Sequence, residues 1–210
     1  MKHVLLAAVL CAPLAVMAAE ADKNPFTQGS AEAGAAKATV CVACHGPGGN
    51  SANPEWPKLA GQGARYLYDQ LGWLKSGIRK NPLMNAQAAN LSDQDMRDLA
   101  AYFAAQPASP GVASEAAVPV AQKLYRSGDA ARGLPACAAC HGPTGAGVAA
   151  SAFPRIGGQH AKYVGNVLRI FRDESQKALP DGNLKTMATV AAKLSEAEID
   201  ALASYVNGLQ

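Results

Sequence analysis

Aromatic residues are scarce: Phe, Trp and Tyr make up 6% of the 210 residues, with only two tryptophans and four phenylalanines. These side chains normally supply the largest buried surfaces of a protein core, so this chain must fill its interior by other means. Charge is also thin, with Asp, Glu, Lys and Arg at 17% and a formal net charge of +3. So small a basic excess excludes the electrostatic footprint of a nucleic-acid binder. Long hydrophobic runs are missing except near the N-terminus. There, Val4 to Val16 is too short, and too interrupted by Pro13, to cross a bilayer. No stretch alternates apolar and polar residues well enough to be read as a strand, so a β architecture is not expected.

What does stand at the N-terminus reads as an export signal. Lys2 and His3 form a short positive segment, the apolar run follows, and small residues close it around Ala18 and Ala19. Residues 1–19 are therefore expected to be a signal peptide, removed on export to the periplasm. Cys11 raises the alternative of a lipidation cysteine, but the bulky Leu10 stands where a small residue would be needed. Removing Lys2 with the signal lowers the formal charge from +3 to +2. Basic and acidic residues balance up to Gln106, and the later half carries an excess of two positive charges, which reads as a solvated face.

The informative residues are the remaining four cysteines. They form Cys41-Val42-Ala43-Cys44-His45 and Cys137-Ala138-Ala139-Cys140-His141, each followed by Gly-Pro. Cys-x-x-Cys-His is the attachment signal for a c-type haem. The two thiols add across the vinyl groups and the histidine reaches the iron from one face. Two covalently bound haems, each with its iron, would also replace the missing aromatic bulk. Other readings of the cysteines are two disulfides, a zinc site or a thioredoxin-like redox motif. None of them explains the histidine after each pair, the spacing exceeds that of a zinc ribbon, and the βαβ setting of a redox motif is absent.

The chain repeats itself. Pro57-Lys58-Leu59-Ala60-Gly61-Gln62 corresponds to Pro154-Arg155-Ile156-Gly157-Gly158-Gln159, followed by Tyr66 and Tyr163. Met84 to Phe103 corresponds to Met187 to Val206. An Ala-, Ser- and Pro-rich stretch, 107–119, reads as a linker. The expected domains are thus 20–106 and 120–210. Both are helical: Met96, Leu99, Ala100 and Phe103 fall at i, i+3, i+4 and i+7, as do Ile199, Leu202, Ala203 and Val206. Ser92 with Asp95, and Ser195 with Glu198, form the capping signatures of these helices. Amphipathic helices are also expected around Leu67, Leu71 and Leu74, and around Val164, Val167, Leu168 and Phe171.

A haem iron held by one histidine takes a sixth ligand or stays open. Met84, Met96, Met187 and His160 are the candidates, and the repeat selects among them. Met84 aligns with Met187, Met96 with Ile199, and His160 with Gly63. The expected iron ligands are therefore His45 with Met84 and His141 with Met187. Met96 is assigned to the core, and His160 to the surface or a haem edge. A neutral thioether favours ferrous iron and changes little between oxidation states. With both axial positions filled, such a protein carries electrons and is not an enzyme. The alternative is a diheme enzyme, such as a peroxidase, with one open iron.

Each half resembles a class I cytochrome c, with an N-terminal helix, Cys-x-x-Cys-His, a Pro-x-Leu/Ile-x-Gly segment, a methionine and a C-terminal helix. In tandem behind a signal peptide, the halves resemble the diheme cytochrome c4 family, over nearly the whole mature chain. The resemblance implies an all-α fold of two tandem domains packed about a pseudo-twofold axis with facing propionate edges. It also implies that the carbonyls of Pro57 and Pro154 accept hydrogen bonds from His45 and His141. The implied role is respiratory electron transfer from a quinol-oxidising complex toward a terminal oxidase. Tyr66, Tyr163, Arg155 and Lys162 are candidates for steadying propionates. The segment between His141 and Met187 departs from its counterpart by seven extra residues, six of them after Tyr163. A monomer is expected, and the sequence leaves both a free carrier and peripheral membrane attachment open.

Overall fold

The computed structural model describes residues 24–174, 177, 179–180 and 182–210. The expected signal peptide and Cys11 lie outside the described residues. Among those described, regular structure is helical, with isolated β-bridges such as those between Asp129 and Leu134 and between Val148 and Phe153.

The first half contains α1 (Ala31–Lys37), α2 (Thr39–His45), α3 (Ala64–Ser76), α4 (Pro82–Ala88) and α5 (Asp93–Ala104). Helix α1 starts at Ser30, whose side chain accepts from the Ala33 N–H, a cap worth about 1 kcal/mol. It crosses α5 at Gly34, where a Cβ would stand 2.1 Å from the Asp98 carbonyl oxygen and 2.7 Å from Tyr102 Cβ. Only a glycine lets the two backbones approach so closely. Leu67, Leu99, Ala100 and Phe103 form the buried centre of this half. Helix α3 packs on both α4 and α5, placing the Met84 helix beside the core.

The second half contains α6 (Val118–Ser127), α7 (Ala138–His141), α8 (Ala161–Glu174), α9 (Asn183–Ala191) and α10 (Glu196–Asn207). Its core is larger, with Leu124, Tyr125, Leu134, Ile199, Leu202, Tyr205 and Val206 buried together. Helix α10 packs on α6 and α8, and α9 packs on α8. Both capping boxes form, at Ser92–Asp95 and Ser195–Glu198.

Three features depart from the sequence reading. A 3-10 turn at Glu115–Ala117 runs into α6 at Val118, so the last five residues of the stretch read as linker are helical, with Pro119 in the first turn of α6, where its missing N–H costs nothing. In the first half α2 follows α1 almost directly, whereas in the second a turned loop, 128–137, separates α6 from α7. The second half is thus extended before its cysteines as well as after Tyr163. Finally, 107–114 is not a free tether. Ser109 N–H donates to Asn50 Oδ1 at 2.8 Å, and Val112 N–H to Asn207 Oδ1 at 3.1 Å, binding it to both halves.

Candidate haem sites

In each half the Cys-x-x-Cys-His segment is wound into a short helix, α2 or α7, that ends at the histidine. Gly46 (φ 76°) and Gly142 (φ 79°) then turn the chain away. At Gly46 a Cβ would lie 2.5 Å from the Asn50 carbonyl oxygen, so a side chain there would push the following loop off the helix end. Cys41, Cys44, Cys137 and Cys140 are half-buried free thiols. Burial raises the Cys41 thiol and pushes Cys137 up to about 11. Such thiols lack the depressed pKa of a redox-active Cys-x-x-Cys. No cluster of three or more His, Cys, Asp or Glu side chains able to hold a metal ion exists among the described residues.

The histidines are the best-defined part of each site. His45 and His141 are buried, each 7% exposed. His45 Nδ1 lies 2.9 Å from the Pro57 carbonyl oxygen, and His141 Nδ1 lies 3.0 Å from that of Pro154. A carbonyl can only accept, so Nδ1 carries the proton and Nε2 keeps its lone pair free. Burial depresses both imidazoles, outweighing the opposing effect of the carbonyls. Each is therefore held neutral, in the tautomer that ligates through Nε2.

The segments bearing those prolines are fixed alike. The Gly49 carbonyl accepts from Leu59 and Ala60 N–H, and the Gly145 carbonyl from Ile156 and Gly157 N–H. Gly61 N–H donates to Phe103 O and Gly158 N–H to Val206 O, both at 3.0 Å, tying each loop to the last helix of its half.

Met84 lies on α4 and Met187 on α9, both half-buried. Asn81 caps α4 by accepting from the Met84 N–H at 3.0 Å, and Asn85 Nδ2 donates to the carbonyls of Leu74 and Arg79. The Met84 helix is thereby pinned to the end of α3. Met96 is buried on α5, as core. His160, assigned from sequence to the surface or a haem edge, instead lies at the seam, with Nε2 2.7 Å from the Ser51 carbonyl oxygen of the other half.

Of the propionate candidates, Tyr66 and Tyr163 lie near one another at the seam, where burial, with Tyr163 adding to it, pushes the Tyr66 phenol up. Arg155 Nε is buried without a hydrogen-bond partner among the described residues. Lys162, by contrast, is exposed at 3.7 Å from Glu55. Arg79, which sequence reasoning missed, donates to Tyr163 Oη at 3.0 Å and to Gln70. No repeat signal marks it, because its counterpart region falls in the extended stretch of the second half. In each half a buried neutral imidazole with free Nε2 and paired free thiols fit a covalently attached haem, and in the second half the orphaned guanidinium N–H of Arg155 fits a haem carboxylate.

The cytochrome c family model matches residues 31–106 and again 122–210. Cytochrome c4 of Pseudomonas aeruginosa is 50% identical over 181 residues, covering 86% of this chain and 89% of that relative. A thiosulfate dehydrogenase electron acceptor of Stutzerimonas stutzeri is 39% identical over 208 residues, 97% of this chain and 93% of the relative. The crystal structure of reduced recombinant cytochrome c4 from Pseudomonas stutzeri superposes with a TM-score of 0.82 at 46% identity, covering 87% of this chain and all of that one. The open-iron enzyme alternative finds no support among these relatives. Two tandem cytochrome c domains, each with its own haem c, make this chain a member of the diheme cytochrome c4 family, an electron-transfer protein.

Proposed function

We propose that the mature protein is a periplasmic electron carrier in which His45 with Met84, and His141 with Met187, complete the two iron coordination spheres. When bound, each haem supplies a one-electron ferric–ferrous couple. The observation that carries the assignment is the repeated bond from a buried histidine Nδ1 to a proline carbonyl, at 2.9 and 3.0 Å. That bond fixes the ring plane and tautomer and makes Nε2 a better donor. Met84 and Met187, on short helices packed against equivalent long ones, would supply a soft neutral sulfur that favours the reduced state. Cys41 and Cys44, and Cys137 and Cys140, would hold the macrocycles through thioether bonds.

The near-infrared charge-transfer band of ferric Met–haem tests the ligands. Met84→Ala and Met187→Ala should each remove about half of its intensity, with a lower potential for the affected half. An unchanged band in either variant would refute that methionine's role.

For partners, we infer delivery from a quinol-oxidising complex toward a terminal oxidase, with the N-terminal signal directing export to the compartment where these meet. A second donor is favoured by the relative that is a thiosulfate dehydrogenase electron acceptor and is alignable over 97% of this chain. Stopped-flow reduction of the holoprotein by each donor separates the two: the physiological donor should reduce it at rates steered by docking, and the other far more slowly.

A further inference from the structure

The seam between the halves carries a reciprocal contact built on two buried glutamines. Gln62 lies in the first half and Gln159 at the equivalent place in the second, 7% and 8% exposed. Gln159 Oε1 accepts from Lys58 N–H at 2.9 Å, and its Nε2 donates to the Lys58 carbonyl at 2.9 Å. Gln62 Oε1 accepts from Arg155 N–H at 2.7 Å, and its Nε2 donates to the Arg155 carbonyl at 2.8 Å. Each side-chain amide thus grips one residue of the opposite half by both backbone groups. Each Oε1 also accepts the N–H of the residue that follows it, Gly63 or His160, so the amide oxygen accepts twice.

The gripped residues are the ones that follow Pro57 and Pro154. Lys58 N–H belongs to the same peptide plane as the Pro57 carbonyl, and that carbonyl accepts from His45. Arg155 N–H likewise shares a plane with the Pro154 carbonyl, which accepts from His141. A continuous chain therefore runs from Gln159 through one peptide to His45, and from Gln62 through another to His141. An N–H drawn toward an acceptor polarises its own peptide and makes the carbonyl a stronger acceptor, a cooperative gain of order 10–30% per bond. A stronger acceptor at Nδ1 gives the imidazole more anionic character and Nε2 more donor strength. More donation at Nε2 favours the ferric state.

We propose that Gln62 and Gln159 are crossed positioning residues, each tuning the proximal histidine, and so the reduction potential, of the other half. This rests on His45 and His141 being iron ligands. The device joins the two sites through bonds, in addition to any electrostatic effect of one haem on the other.

The test uses the full holoprotein with Gln159→Leu and Gln62→Leu, following resolved haem-methyl NMR signals of each half through a redox titration. Gln159→Leu should raise the potential of the His45 half by about threefold in its redox equilibrium, against ~59 mV for tenfold in a one-electron couple. The His141 half should hardly move. Gln62→Leu should give the mirror result. The paramagnetically shifted His Nδ1–H signal of the opposite half should move with the potential. Equal shifts of both halves in each variant would mean that the seam has merely loosened, and would overturn the proposal, as would no shift at all. The ligand assignment fails separately, if wild type shows no such paramagnetic Nδ1–H signals for the two histidines.

Discussion

At the scale of single residues, the second site leans on Tyr125. Its side chain is fully buried, packs on Tyr205 with ring centroids 5.5 Å apart, and donates to the Gly142 carbonyl at 2.6 Å. Gly142 is the residue that turns the chain out of α7 directly after His141. Tyr125→Phe keeps the ring packing but leaves the part-buried carbonyl with only the Gly145 N–H, at 3.2 Å, a loss of about 0.5–1.5 kcal/mol. Thermal denaturation of the holoprotein should show that loss in the second half, with the first unchanged. Among the described residues the first half has no counterpart of this bond, because α1 runs almost directly into α2 and no loop brings a helical tyrosine over the glycine.

At the scale of elements, the helix starts were legible because capping chemistry is local. Ser195 and Glu198 announce α10 in sequence, and the structure adds a partner that sequence could not supply. Arg132, from the loop ahead of Cys137, donates to both carboxylate oxygens of Glu198 at 2.7 and 3.1 Å. That pairing, led by Arg132, holds the Glu198 carboxyl down at about 2, against 4.5 for an ordinary glutamate. A depressed folded-state pKa contributes stability that is complete above pH 4.5 and is lost as pH falls through about 2. Glu198→Gln should therefore melt below wild type at neutral pH, and the gap should close steadily between pH 4.5 and 2. A gap independent of pH across that window would show that the carboxylate charge is not what matters.

The amphipathic helices α3, α5, α8 and α10 were equally legible, since apolar spacing survives without knowledge of the partner. The haem-attachment motifs were legible because covalent haem attachment fixes residue type and spacing together. Less was visible of α1, α4, α6 and α9. The first two are only seven residues long, too short to show a period, and α1 is placed by Gly34 against α5 rather than by an apolar face. Gln62 and Gln159 stood in the repeat as a matched pair. Their role lay across the seam, about a hundred positions away in sequence, where no local pattern reaches.

At the scale of the whole molecule, near-symmetry hides a consequential difference. Lys58 and Arg155 are equivalent in the repeat, and both are gripped by the opposite glutamine, but their side chains do different work. Lys58 Nζ crosses the seam and donates to the carbonyls of Gly158 at 2.9 Å, Ser109 at 3.2 Å and Pro110 at 3.3 Å. Burial pushes its ammonium pKa down, a cost offset by three oriented carbonyl dipoles. One cation thereby fastens the connecting segment to both halves, while its counterpart Arg155 keeps Nε unpartnered among the described residues. Lys58→Met preserves the stem and the backbone grip of Gln159 but removes the ammonium. Ser109 and Pro110 then lose the bonds that hold the connector down, each worth about 1.5–3 kcal/mol when the donor is charged. Limited proteolysis reports the population of the opened segment when reclosing is fast. Cleavage within 107–112 should accelerate by at least tenfold, which corresponds to about 1.4 kcal/mol. Because Gln159 still holds the Pro57–Lys58 peptide, the potential of the His45 half should change far less than in Gln159→Leu. Cleavage at the wild-type rate would show that the connector's other bonds, to Asn50, Asn207, Ser204 and Gln210, secure it without Lys58.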